Sequence, residues 1–146
     1  MIRKIRNILL PINFSESTED AVQTAVAMCK RHRATLHILY VNEPISPYPP
    51  GRNPGIMEMV QEAAISEQAK ARSLVKRIES ENVVKCFFHT TDGPLYIGVV
   101  RKSKELNADI LILGKSRDAG GFSWVKENSV YKIIKQVDCA VLTIPA

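Results

Sequence analysis

The sequence predicts an α/β fold: a doubly wound five-stranded parallel sheet of order 3-2-1-4-5 with helices on both faces. Three observations carry that reading. Strand and helix signals alternate along the chain as β-α-β-α-β-α-β-α-β. The strand segments are too apolar to have a wet face, as in sheets covered on both sides. Right-handed crossovers then leave few ways to wind such a chain. With 146 residues and 45% hydrophobic content, the chain reads as one domain, 1–146, able to bury on the order of 70% of its unfolded surface without metal or disulfide.

Ile5 to Ile12 reads as the first buried strand. Ser17 and Asp20 stand at capping-box spacing ahead of a helix whose apolar stripe is Ala21, Val22, Ala25, Met28 and Cys29. Thr35 to Val41 is the second strand. Asn42 to Gly55 holds five of the eight prolines, a composition that neither a helix nor a central strand tolerates. It reads as a surface connection, with a lid or partner-binding loop as the alternative. Ile56 to Ser80 is a long helix, with Ile56, Met59, Val60, Ala63 and Ala64, then Ala71, Leu74, Val75 and Ile78, on one stripe. Val83 to His89 is the third strand. Asp92-Gly93-Pro94 turns into a helix through Leu95, Val99, Val100 and Leu106, with proline at the first helical position. Asp109 leads into the fourth strand, which ends at Gly114. A loop from Lys115 to Glu127 follows, then a helix opened by Asn128-Ser129 with Val130, Ile133, Ile134 and Val137 on one face, and Cys139 to Ile144 closes the sheet.

Bulk properties exclude several classes of function. The net charge of +5 comes from bases spread over several helices beside acidic neighbours, and aromatic residues for base stacking are few, so solvated faces explain the charge and no nucleic-acid partner is expected. The basic N-terminus precedes an apolar run too short for a secretion signal, and nothing approaches a membrane span, so a cytoplasmic protein without a membrane partner is expected. Cys29, Cys86 and Cys139 lie far apart in apolar runs and read as buried free thiols. His32, His37 and His89 read as scattered rather than paired, with no metal-ligand spacing. Ser123 and Ser129 lack a nearby histidine with an orienting acid, and Gly120-Gly121-Phe122-Ser123 is not a nucleophile elbow. No catalytic residue and no metal site is assigned.

The predicted strand order reverses between strands 1 and 4. The loops Pro11 to Ser15 and Gly114 to Asn128 then face each other across a crevice, with Val41 and Asn42 as its side wall. A strand ending in a glycine turn before a helix N-terminus is where such folds bind anions, because free N–H groups and the helix dipole converge there.

Four segments in this order resemble the universal stress protein family across essentially the whole chain. They are Ile8-Leu9-Leu10-Pro11-Ile12-Asn13-Phe14-Ser15-Glu16-Ser17, Gly93-Pro94, Ala108 to Gly114, and Val137 to Pro145. Family members that bind ATP carry G-x2-G-x9-G-S/T after strand 4 and an Asp at the end of strand 1 that contacts adenine. Glycines there let the backbone wrap the phosphates. Gly114 matches the first glycine and Ser129 the final hydroxyl. Arg117 replaces the second glycine, Asn128 the third, the spacing to Ser129 is one residue too long, and Asn13 replaces the Asp. If two such changes each remove a hydrogen bond of about 1 to 2 kcal/mol, binding weakens on the order of 30- to 1000-fold.

The resemblance therefore implies a non-enzymatic, stress-linked dimeric interaction module with weak or absent ATP binding and an unknown protein partner. Its alternative is an ATP- or AMP-binding regulator, with magnesium, using Pro11, Asn13, Val41, Gly114, Lys115, Arg117, Gly120, Gly121, Asn128, Ser129 and Val130. Lys115, Arg117 and Lys126 could meet phosphate charge directly. Trp124, with Phe122 and Val125, reads as packing of the loop on its own domain, with a rim that closes on a ligand as the alternative. The resemblance also implies a homodimer through antiparallel pairing of the last strands.

Overall fold

The computed structural model describes residues 4–12, 18–42, 54–114 and 127–145. Five parallel strands, β1 (Asn7–Ile12), β2 (Thr35–Asn42), β3 (Cys86–Asp92), β4 (Ile110–Gly114) and β5 (Ala140–Ile144), lie in the order β3-β2-β1-β4-β5. Between them run α1 (Thr18–His32), α2 (Pro54–Asn82), α3 (Leu95–Glu105) and α4 (Glu127–Gln136). The doubly wound order is thus observed as the alternation of signals predicts.

Each face of the sheet carries its own core because strand side chains alternate. Ile8, Leu10, Leu36, Ile38, Ile110 and Ile112 pack with Ala21, Ala25 and Cys29 of α1 and with Ala71, Val75 and Ile78 of α2. Leu9, Leu39, Val41, Leu111 and Leu113 pack with Leu95 and Val99 of α3 and Ile133 of α4. The first two crossovers therefore cover one face and the last two the other, which the reversal of strand order at β1 requires if every crossover is right-handed.

Several boundaries differ from expectation, each for a physical reason. The third strand begins at Cys86, not Val83, because Val83 ends α2 in the left-handed region at φ 52. It runs on to Asp92, paired with Asn42, so Asp92 closes a strand rather than opening a turn. Pro54 and Gly55 join α2, since a first-turn proline gives up an N–H that would be unpaired anyway. Pro94 is the N-cap of α3, one position ahead of the first helical residue. The expected cap at Ser17 lies outside the described residues.

The strands are not uniformly dry either. At the two sheet margins, β3 and β5 mix buried or half-buried with exposed positions, each having a neighbour strand on one side only. Cys139 is half-buried, whereas Cys29 and Cys86 are buried. In α4, Ile133 is buried but Ile134 is half exposed, at the margin of the expected face. In α2 no described residue before Ala71 is buried, and Met59 on the expected stripe is 69% exposed, whereas Ala71, Leu74, Val75 and Ile78 meet the core. The Tyr40 hydroxyl donates to Glu67 Oε2 at 2.6 Å. That bond sets Glu67 level with the carboxyl half of β2.

Val83 is 99% exposed and touches no core, yet it is β-branched and held in a left-handed conformation. Such a conformation costs a non-glycine residue about 1–2 kcal/mol. Glycine would relieve that cost and give back part of it through the entropy of the unfolded chain. Val83→Gly is expected to stabilise the fold by about 1 kcal/mol and raise the melting midpoint by about 2–4 °C. An unchanged or lower midpoint would show that Val83 carries no strain.

Candidate functional site

Backbone groups of alternate residues in a parallel strand face the same neighbour. The Asp109 N–H donates to the Asn7 carbonyl at 2.8 Å, so Asn7 faces β4, and Leu9 and Pro11 face β4 with it. Proline has no N–H to donate. Accordingly β1 pairs with β4 only at Ile8↔Ile110 and Leu9↔Leu111, while its pairing with β2 runs on through Pro11↔Leu39 to Ile12↔Tyr40. A proline in a central strand is otherwise an anomaly. Here it parts two strands at their carboxyl ends, where chain segments leave for opposite faces of the sheet.

The seam is held firmly at its other end. Asp109 Oδ2 accepts the N–H of Arg6 at 2.8 Å and that of Asn7 at 3.0 Å, latching the start of β1 onto the approach to β4. The sequence marks Asp109 as a residue leading into a strand and gives no sign of this latch. Gly114 is buried, pairs with Ile144 of β5 and ends β4 on the rim of the opening. The first turn of α4 holds the backbone of Asn128 and Ser129, and because α4 returns antiparallel to the strands, its N-terminus lies at the same end of the sheet. That is the side at which an anion would be stabilised.

Pro11, Val41, Gly114 and Val130 are the expected site residues whose side chains or positions the structure describes. Pro11 is buried in β1. Val41 is 6% exposed and packs in the core beneath α3. It is held there by the close approach of Gly98, whose added Cβ would stand 2.8 Å from Thr91 Cγ2 and 3.4 Å from both Val41 methyls. Val130 is half-buried against the same core. Asn13, Lys115, Arg117, Gly120 and Gly121 lie outside the described residues, as do the side chains of Asn128 and Ser129 and the loop residues Phe122 to Lys126.

Two histidines read as scattered prove to be paired. His37 Nδ1 and His89 Nε2 are 2.9 Å apart, and His37 Nε2 is 2.9 Å from Asn7 Oδ1. The three residues sit on β2, β3 and β1 and form a diagonal on the α3 side of the sheet. A carbonyl oxygen only accepts, so His37 carries its proton on Nε2 and takes the His89 Nε2–H on its Nδ1 lone pair. Burial and the neighbouring His89 hold the His37 pKa down to about 4. The His89 pKa is also lowered, by burial and by Lys102, with Glu105 opposing. Only the parallel register brings His37 to Phe87, on whose ring it stacks, and within reach of His89, so spacing alone carries no signal of the pair. Among the described residues no group of three histidine, cysteine or carboxylate side chains could hold a metal ion. Among them, too, no helix is long and apolar enough to cross a membrane.

Comparison with known proteins points the same way as the topology. Residues 4–145 match the model of the universal stress protein family. The chain is 23% identical over 139 residues to the universal stress protein MJ0531 of Methanocaldococcus jannaschii, covering 95% of this chain and 81% of that one. Among solved structures it is similar to the universal stress protein UspA from Lactobacillus plantarum, with a TM-score of 0.74 at 20% identity over 98% of this chain and 99% of that one. It is similar as well to a universal stress protein crystallised in complex with cAMP, with a TM-score of 0.62 at 16% identity over 98% of each chain.

Proposed function

The chain belongs to the universal stress protein family, and on that premise we propose that it is a dimeric, non-enzymatic regulatory module of the stress response whose crevice takes adenine nucleotide weakly or not at all. The observation that carries the proposal is the replacement of two motif glycines by Arg117 and Asn128 in the sequence that follows β4. Side chains at those positions deny the phosphates the close backbone approach that glycines allow. Asn13 keeps a carbonyl acceptor for adenine but lacks the charge of an aspartate.

The margin of the sheet supports the dimer. On β5, Ala140 is exposed and Leu142 is 37% exposed, on a strand with only one neighbour. An apolar edge of this kind calls for cover, and a second β5 running antiparallel would supply it. The buried thiols of Cys29 and Cys86 suit a reducing cytoplasm, where a protein partner would be met. The nucleotide complex of the solved relative favours adenine nucleotides as the class to test, with magnesium arriving on the phosphates.

Equilibrium titration with ATP and AMP, with and without magnesium, is expected to give no saturation below about 50 micromolar. Sedimentation at tens of micromolar protein is expected to give a dimer. Tight nucleotide binding would restore the regulator reading, and a monomer would remove the interaction module.

A further inference from the structure

At the pole of the sheet opposite the crevice, the last turns of α1 and α2 and the leading residues of β2 and β3 enclose a cleft of about 470 Å³. Its lining is chemically one-sided. Lys30, Arg33 and Lys85 contribute three cations, Thr35 a hydroxyl and Asn82 an amide, and no carboxylate lines it. Among the described residues none of these three cations forms an ion pair; the exposed bridges involve Arg77, Arg101 and Lys102 instead.

Two helix C-termini also border the cleft, each worth about half a negative charge. Three full positive charges outweigh that total of about one. Favourable placement against the helix dipole accounts for Lys30 in the last turn of α1. It does not account for Lys85, which precedes β3.

Three main-chain donors on the β2 side are already used. Ala34 N–H bonds to the Cys29 carbonyl, Thr35 N–H to that of Arg6 and Leu36 N–H to that of Lys85. Recognition would therefore come from the side chains, and three cations around one opening favour a compact, charge-dense oxyanion. The floor is formed in part by Cys29, which is buried and neutral, its thiol pushed up to about 12 by burial. The volume falls within the range of small-molecule sites, about 300–1,000 Å³, and leaves room for more than an inorganic ion.

We propose that this cleft binds a small, multiply charged phosphate-bearing molecule, at a site separate from the crevice at the carboxyl ends of the strands. Pyrophosphate is the probe. Titrated into the full chain and followed by amide-resolved NMR, it is expected to give saturable shifts centred on Ala34, Thr35, Val84 and Lys85. The double variant Lys30→Gln/Lys85→Gln is expected to bind at least about tenfold more weakly. A second variant, Arg33→Gln, should weaken binding in the same direction, and unchanged melting midpoints would confirm that both variants fold. Lys132→Gln/Lys135→Gln, which removes the same charge on α4, should bind as the unaltered protein does. Equal affinity in all variants, non-saturating shifts, or shifts confined to the crevice would overturn the proposal. So would tighter binding of an oligothymidylate with shifts extending over Lys102 and Lys104, which would assign the pole to an extended polyanion instead.

Discussion

Acidification from pH 7 toward pH 4 is expected to cost the fold about 3 kcal/mol through His37. In the unfolded chain His37 titrates near its ordinary 6.5, whereas in the fold it is held to about 4. Between those values the unfolded state binds a proton that the native state refuses. Stability therefore falls as pH falls, by at most about 1.4 kcal/mol per pH unit, and this contribution stops changing below about pH 4. The main cause is burial, since His37 is only 8% exposed, and the neighbouring His89 adds to it. Lys102 works against a charge on His89 and Glu105 favours it, so α3 adjusts the pair without reversing the sign.

Urea unfolding midpoints at several pH values check this expectation. His37→Gln can still donate to Asn7 and accept from His89, and is expected to flatten the profile between pH 6.5 and 4. Parallel losses in the variant and the unaltered protein would place the acid sensitivity among the carboxylates instead.

Topology was legible in the sequence because it follows from signals that are local and repeated. Ile8 to Ile12 and Ile110 to Leu113 are apolar on both faces, and only central parallel strands bury both. Helix stripes such as Ala21, Val22, Ala25 and Cys29 are equally local. What escaped notice depends on register. The His37–His89–Asn7 diagonal joins residues 30 and 52 positions apart, and the Asp109 latch reaches back more than a hundred. The start of β3 was misplaced because Val83 is a strong strand former in a conformation that it rarely adopts. Met59 lies on the expected apolar stripe of α2, but that half of the helix has no described buried neighbour.

The parting of β1 from β4 was half legible. The reversal at β1 follows from strand order, and the structure adds that pairing with β4 stops at Leu9↔Leu111, ahead of Pro11, which has no donor for the ladder. Pro11 was marked as a site residue by its place in the first strand, and its effect on pairing needed the direction of the Asn7 carbonyl. Gly98, whose missing side chain lets α3 close over Val41, carried no signal in a helix where glycine is only unfavourable. The glycine pattern after β4 remains a statement about residue types, and it is on this pattern that the weak-site reading depends.

The affinity of a restored motif tests that reading most directly. In Asn13→Asp/Arg117→Gly/Asn128→Gly the acidic charge and both glycines return while the stretch to Ser129 stays one residue longer than the motif, so part of the 30- to 1000-fold loss argued from two missing hydrogen bonds should be recovered. ATP titrated into the triple variant and the unaltered chain is expected to bind the variant at least about tenfold more tightly. No gain in the variant, or binding below about 50 micromolar in the unaltered chain, would contradict the account.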